Sequence, residues 1–143
     1  MAGALAVESC SRCNSPSVIH QAYSGQHYCG KHLSASIRKR TSKELRQQLR
    51  LPKDARHEDG LPYRILVAIS GGKDSATLLT MMHDILGRRR DVELISGCID
   101  EGIDGYRAPS LECARQLAES LDVRFETLSY EEMGYERMDE VVT

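Results

Sequence analysis

Tryptophan is absent from this chain and phenylalanine occurs once, so no interior of large aromatic rings can be assembled and the core has to be aliphatic. No apolar run approaches the roughly 20 residues a membrane-spanning helix needs, which leaves the membrane out of the expected partners. The apolar opening Met1–Val7 is short, lacks a basic leader and runs straight into Glu8, so it does not read as a signal peptide. Nor is there an even set of cysteines to build a disulfide framework. The count is five, and three of them (Cys10, Cys13 and Cys29) crowd near the N-terminus. That pattern fits metal ligation in a reducing compartment, and the expected location is cytoplasmic. With 143 residues, 41% hydrophobic and 28% charged, the chain has the composition of a globular protein with room for one ordinary domain and a small module.

A formal net charge of −2 conceals an uneven distribution. Between Lys31 and Arg56, nine Lys or Arg face only Glu44 and Asp54; from Glu58 to Thr143, nine basic residues are outnumbered by eighteen acidic ones. A basic segment on an otherwise acidic protein suggests two functions joined by a linker. The expected organisation is a zinc ribbon over 1–33, a basic helix and connector over 34–61, and a nucleotide-binding domain over 62–143.

Cys10-Ser11-Arg12-Cys13 is a C-x2-C pair, and Cys29-Gly30-Lys31-His32 is a C-x2-H pair fifteen residues on. Two such knuckles bring four ligands around one ion, as structural zinc requires. His20 and His27 compete for the fourth position; His32 is preferred because its spacing from Cys29 repeats that of the first pair. A filled four-ligand site leaves no open position, so this zinc is structural rather than catalytic. Short strands on either side of Ser24-Gly25 complete the ribbon. The bland alternative is a set of unlinked core cysteines, against which stand the regular spacing and too few apolar residues to form a core without metal.

Ser34 to Leu51 reads as a helix with a sparse apolar face of Ile37, Leu45 and Leu49. Arg38, Lys39, Arg40, Lys43, Arg46 and Arg50 cover the remainder, and Pro52 stops it. Such a surface contacts the phosphates of RNA or DNA, unless its charges serve solubility alone. The arm lacks aromatic residues, so it is expected to bind backbone rather than bases.

Ser70-Gly71-Gly72-Lys73-Asp74-Ser75 follows the apolar run Ile65–Ile69 and opens onto Ala76–Met82. A buried strand, a glycine turn and a helix start together make a cradle for pyrophosphate. Glycines let the backbone approach a charged ligand and adopt positive φ. The N–H groups and dipole of the helix start favour an anion, Lys73 adds a cation, and the Ser70 and Ser75 hydroxyls add donors. The turn is neither G-x-x-x-x-G-K-[ST] nor G-x-G-x-x-G. A Gly-Gly turn capped by Asp74 or Ser75 is the structural alternative.

Downstream, Leu78, Leu79, Met82, Ile85 and Leu86 recur at helical spacing and Gly87 marks a stop. Arg88-Arg89-Arg90 then reads as a solvated turn, with a second phosphate site as the sharper option. Val92–Ile99 is a second strand, Pro109 opens a second helix, and Arg124–Leu128 is a third strand. The alternation predicts an α/β fold: a Rossmann-like parallel sheet with flanking helices, following the zinc ribbon. Ligands of such sheets lie at the carboxyl ends of the strands. Ile99 and Asp100 are therefore expected to flank the nucleoside, by backbone and side chain respectively, although Asp100 also suits a turn or helix cap. Cys98 and Cys113 read as packed thiols.

The S-G-G-x-D-S loop after a first strand resembles that of the PP-loop ATP pyrophosphatases. The ribbon ahead of it and the loop Asp100-Glu101-Gly102-Ile103-Asp104-Gly105-Tyr106-Arg107 behind it narrow the resemblance to the tRNA uridine 2-thiolation enzymes, from Cys10 to about Tyr130. The resemblance implies that ATP adenylates the uridine C2 oxygen and that sulfur then displaces AMP to give 2-thiouridine. It implies pyrophosphate on Ser70–Ser75, catalytic roles for Lys73 in neutralising that leaving group and for Asp74 in positioning Mg2+, and tRNA as substrate. A ubiquitin-like sulfur carrier is the implied donor, and several members hold an iron–sulfur cluster on three cysteines. The family's paired catalytic or cluster cysteines, its Gly-His-Asn-x-Asp-Asp segment and its second ribbon do not occur before Thr143. The expectation is therefore an incomplete sheet, with a missing C-terminal half or a second copy of the chain as protein partner. Two other readings stand beside this one: a non-catalytic zinc-ribbon RNA-binding module or subunit of a split enzyme, and a PP-loop enzyme adenylating a small acid.

Overall fold

The structure, a computed structural model, describes residues 6–105 and 107–142. Most of Met1–Val7, Tyr106 of the Asp100–Arg107 loop, and Thr143 lie outside the described residues. The chain forms two compact units, residues 1–50 and 51–143.

In the first unit, β1 (Ile19–Gln21) and β2 (Gln26–Tyr28) pair antiparallel, with Ile19 opposite Tyr28, His20 opposite His27 and Gln21 opposite Gln26. The turn needs positive φ, and Gly25 supplies it at +67°. Helix α1 (Gly30–Leu49) follows at once, with Cys29 as its N-cap residue. It starts four residues before the expected Ser34, so the boundary expected between 33 and 34 falls inside it. His32 joins the cysteine cluster from the first turn of this helix. No residue of α1 is buried; its Leu33 packs on the small core of Cys10, Tyr28 and Cys29. Arg50 ends the helix in the left-handed region, two residues ahead of Pro52.

The second unit runs β3 (Tyr63–Ala68), α2 (Lys73–Leu86), β4 (Val92–Asp100), α3 (Arg107–Ser120), β5 (Arg124–Ser129) and the short α4 (Met138–Val141). The strands are parallel in the order β3-β4-β5, with Leu66 opposite Ile95 and Ile99 opposite Leu128. Two right-handed crossovers progressing in one direction place both long helices on one face of the sheet. On that face Val67, Leu94, Ser96 and Cys98 are buried. They pack with Leu79, Met82, Ala114 and Ala118 in the aliphatic core that the missing aromatics require. Among residues of opposite parity Leu66 at 66%, Ile99 at 48% and Leu128 at 45% are exposed, while Ile95 on the central strand is buried.

Two expectations are corrected in detail. Gly87 does end α2, its N–H donating to the His83 carbonyl at 2.8 Å, but its φ of −64° is ordinary helical backbone. Of the three arginines after it, Arg89 is a structural tie rather than part of a solvated turn. It pairs with Asp91 and donates to the Pro52 carbonyl at 2.7 Å, while Asp91 accepts from the Ala55 N–H at 2.7 Å. The connector is thereby fastened to the amino edge of β4, opposite the edge that carries the loops.

Candidate metal centre and nucleotide loop

In the first unit, Cys10 and Cys13 come from the turn before β1, Cys29 from the junction just after β2 and His32 from the first turn of α1. Their ligand atoms all lie within 4.8 Å of one another. His32 Nδ1 stands 3.4 Å from Cys10 Sγ and 3.3 Å from Cys29 Sγ, and Cys13 Sγ stands 3.8 Å from Cys29 Sγ. A tetrahedral zinc with bonds of about 2.3 Å to sulfur and 2.0 Å to nitrogen separates its ligands by about 3.5–3.8 Å. These residues fit such an ion. His20 and His27, the competitors, stack on each other across the hairpin with ring centroids 4.4 Å apart and take no place in the cluster.

Electrostatics at the centre also call for a cation. Burial pushes the Cys10 thiol up, but the backbone N–H groups of Cys29, Arg12 and Cys13 outweigh it and bring it down to about 6. Cys29 receives an N–H from His32, yet burial and the adjoining Cys13 and Cys10 sulfurs hold it above the ordinary thiol value. One thiolate forms readily and discourages the next, an opposition that a divalent ion removes.

Beside the ribbon lies a concavity of about 420 Å3 walled by the hairpin and α1. Arg12 enters from the metal-binding turn, and Lys39, Arg40, Lys43 and Arg46 line one stripe of the helix at helical spacing. No acidic side chain is among its lining residues. The Arg12 guanidinium lies 5.4 Å from the Tyr28 ring centroid, and that of Arg40 lies 4.9 Å from Tyr23. The expectation of an arm without aromatics holds for the helix alone; the hairpin supplies the rings.

In the second unit, Ser70–Ser75 sits at the carboxyl edge of the sheet, and Lys73, Asp74 and Ser75 already belong to the first turn of α2. The loop is held in shape by its own hydroxyls. Ser75 Oγ accepts from the Ser70 N–H at 3.1 Å and donates to the Gly72 carbonyl at 3.2 Å, while Ser70 Oγ accepts from the Gly72 N–H at 3.3 Å. Gly71 has a φ of +88°. The α2 N-cap residue, Gly72, brings no side-chain acceptor, which leaves the helix start free for an external anion. Lys73 and Asp74 are almost fully exposed, with Nζ and Oδ1 3.7 Å apart. A cavity of about 170 Å3 beside the loop is lined by Gly72, Lys73, Ser75 and Cys113, so Cys113 is exposed there rather than packed.

At the same edge, Asp100 Oδ1 accepts from the Gly102 N–H at 2.9 Å, the turn role considered for it, and its side chain also borders a cavity of about 230 Å3 with Ser129, Tyr130 and Arg137. Ile99 exposes its side chain, while its carbonyl is taken by Arg107 Nη2. Arg107 itself is a residue that sequence reasoning missed. Buried to 7% exposure, it sets Nε 2.8 Å from Glu101 Oε2, Nη2 3.2 Å from Cys98 Sγ and Nη1 3.4 Å from the Ser70 carbonyl. It thereby ties the start of the Ser70 loop to the end of β4. Burial pushes the Cys98 thiol above its ordinary value, so Cys98 is a packed acceptor here and no ready nucleophile.

Comparison with known proteins gives a consistent result. Residues 9–34 match the family model described as the N-terminal LIM domain of the 2-thiouridine synthetase TtuA. The tRNA 2-thiolation protein NcsA of Haloferax volcanii is 41% identical over 133 residues, covering 93% of this chain and 41% of that protein. Cytoplasmic tRNA 2-thiolation protein 1 of Drosophila pseudoobscura pseudoobscura is 43% identical over 82 residues, covering 56% of this chain and 24% of its own length. Among solved structures, the U34-tRNA thiolase NcsA from Methanococcus maripaludis with its 4Fe-4S cluster is similar with a TM-score of 0.72 and 25% identity. That match covers 97% of this chain and 44% of the other. The chain therefore spans about two fifths of the length of these NcsA relatives.

Proposed function

Since the chain belongs with the N-terminal portion of the tRNA 2-thiolation proteins, we propose that it supplies the tRNA-holding and ATP-holding parts of an ATP-dependent tRNA uridine 2-sulfurtransferase. The observation that carries this reading is the coexistence of the Ser70–Ser75 loop with a four-ligand cluster beside a cation-lined groove. Zinc is the ion that suits the cluster. Three sulfurs and one imidazole nitrogen within 4.8 Å leave no room for a substrate, so the ion's task is to hold hairpin and helix together.

ATP, when bound, activates the uridine C2 oxygen as a leaving group. Toward that chemistry the loop's amides and the start of α2 hold the pyrophosphate portion. The exposed Lys73 ammonium compensates the negative charge that grows there, and the Asp74 carboxylate is a ligand for Mg2+. Ile99 and Asp100 at the end of β4 adjoin the nucleoside, with Arg107 keeping the two loops in register. An iron–sulfur cluster such as the Methanococcus relative carries, a ubiquitin-like sulfur carrier and a second protein half belong to the same proposal as partners for sulfur transfer. The cytoplasm is the compartment proposed.

The test uses the purified chain: about one zinc per chain, tRNA binding that weakens with salt, and ATP or pyrophosphate binding lost in Lys73→Ala. Absence of all three would refute the reading. A second reading, a non-catalytic RNA-binding module, draws on the basic groove being complete within residues 1–50. It is favoured if tRNA binds and neither ATP nor pyrophosphate does.

A further inference from the structure

The groove of the first unit holds more than phosphate-binding charge. Beside its rim, on the turn between Gln21 and Gln26 that both line it, Tyr23 is 67% exposed, a large ring left in water in a unit whose core among the described residues is Cys10, Tyr28 and Cys29 with Leu33 and Cys13 against it. The ring is not loose. Arg40, a groove-lining cation of α1, sits 4.9 Å from its centroid, and the turn beneath is pinned by the Ser24 N–H to the Gln21 carbonyl at 3.1 Å and the Gly25 N–H to the same carbonyl at 2.8 Å. A cation over one part of an aromatic ring, with much of the ring still exposed, is a prepared stacking surface. Arg12, Lys43 and Arg46 lie along the same concavity, and Gln21 and Gln26 add amide donors and acceptors.

We propose that this groove is a subsite for an unpaired ribonucleotide, whose base stacks on the Tyr23–Arg40 pair while Arg12, Lys43 and Arg46 take the flanking phosphates. The proposal rests on the tRNA reading above and deepens it. A duplex hides its base faces, and A-form RNA closes its major groove to side chains; only a single-stranded segment offers a face to Tyr23. Every base has such a face, so the subsite selects for strandedness and not for sequence. The cations would also hold a duplex, but through its backbone alone and without Tyr23.

The experiment uses the full chain loaded with zinc. Fluorescence anisotropy compares a labelled single-stranded oligouridylate with an RNA duplex of equal charge, for the parent chain and for Tyr23→Ala, Tyr23→Phe, Arg40→Gln and Lys43→Ala, with metal content measured for each. Tyr23→Ala is expected to weaken single-strand binding about tenfold or more, the range of one lost base–aromatic stack. Tyr23→Phe should stay within about twofold of the parent, and duplex binding should be unmoved by either. Lys43→Ala should lower the salt slope on both RNAs by about one, and Arg40→Gln should weaken both RNAs, the single strand more. A 2-aminopurine placed in the strand should change its emission on binding the parent chain and not on binding the Tyr23→Ala variant. Equal single-strand affinity in Tyr23→Ala, with zinc retained, overturns the stacking subsite while leaving the tRNA reading intact. Failure of every RNA to bind the parent chain removes both.

Discussion

A Cβ placed on Gly71 would stand 2.1 Å from the carbonyl oxygen of Ser110, so the Ser70 loop and the first turn of α3 touch backbone to backbone. Gly71 also holds a φ of +88°. Its neighbour Gly72 differs on both counts: a Cβ there meets only Ser70 Oγ, at 3.4 Å, and its φ is −86°. We predict that Gly71→Ala displaces the loop from α3 and removes pyrophosphate binding, whereas Gly72→Ala keeps it within roughly tenfold. Calorimetric titration with pyrophosphate checks this, and equal effects of the two alanines would show the close approach to be unimportant.

Arg107 joins the same loop to β4 from the other side. Its removal frees the Ser70 and Ile99 carbonyls and leaves Glu101 without its cation. Arg107→Ala is expected to cost about 3 kcal/mol of stability, as breaking a buried pair from one side does, and to weaken nucleotide binding as well. Arg107→Lys cannot reach all these acceptors and should lose binding with less loss of stability. Denaturant titration together with ATP binding decides the matter. A parent-like Arg107→Ala would mean that the bridge is dispensable.

For the metal centre the prediction separates three histidines. His32→Ala should lower zinc content and shorten α1, seen as lost helical circular dichroism, because His32 is both a ligand and part of the first helical turn. His20→Ala and His27→Ala should retain about one zinc per chain, since those rings stack on each other outside the cluster. Zinc lost from either of these variants would contradict the ligand set.

The Asp91 carboxyl is held well below the usual carboxylate range by Arg89 and by the Ala55 N–H. A folded-state value depressed below the unfolded one contributes stability above the unfolded pKa of about 4. That contribution is lost progressively as pH falls from there toward the folded value. Asp91→Asn should therefore be less stable than the parent at pH 7, with the gap closing below about pH 4. Melting temperatures across pH 3–8 measure it, and a gap that stays constant would remove the ionic account.

The order of elements in the second unit was readable because its strands are apolar runs and its helices keep a helical period. Strands expected at 92–99 and 124–128 appear as Val92–Asp100 and Arg124–Ser129. The expected run from Ile65 gave no sign that β3 begins at Tyr63; the two added residues pair with Val92 and Glu93, and Arg64 meets Glu93 at 3.1 Å. Such cross-strand support is invisible in a local window. Cys10, Cys13, Cys29 and His32 were legible as a set because ligand spacing is a sequence property. The early start of α1 was not, since it depends on where the centre sits. Arg107 escaped for another reason: an arginine reads as surface until the chain is folded around it. The short α4 escaped because four residues carry too little periodicity.

Helix α1 begins without a capping side chain and with no acidic residue in its first turn, while Cys29 and His32 at that very end belong to the metal cluster. Sulfurs ionised by a bound zinc would do there what a capping carboxylate does elsewhere, placing negative charge at the positive end of the helix. The fastening is therefore chemical in a way an aspartate cap is not: it can be oxidised. With zinc bound, peroxide or a disulfide exchanger that joined the Cys13 and Cys29 sulfurs, 3.8 Å apart, into a disulfide would eject the ion and loosen the start of the helix. The cation stripe from Lys39 to Arg46 is mounted on that helix, so the redox state of the surroundings would bear on how firmly the stripe is held in place.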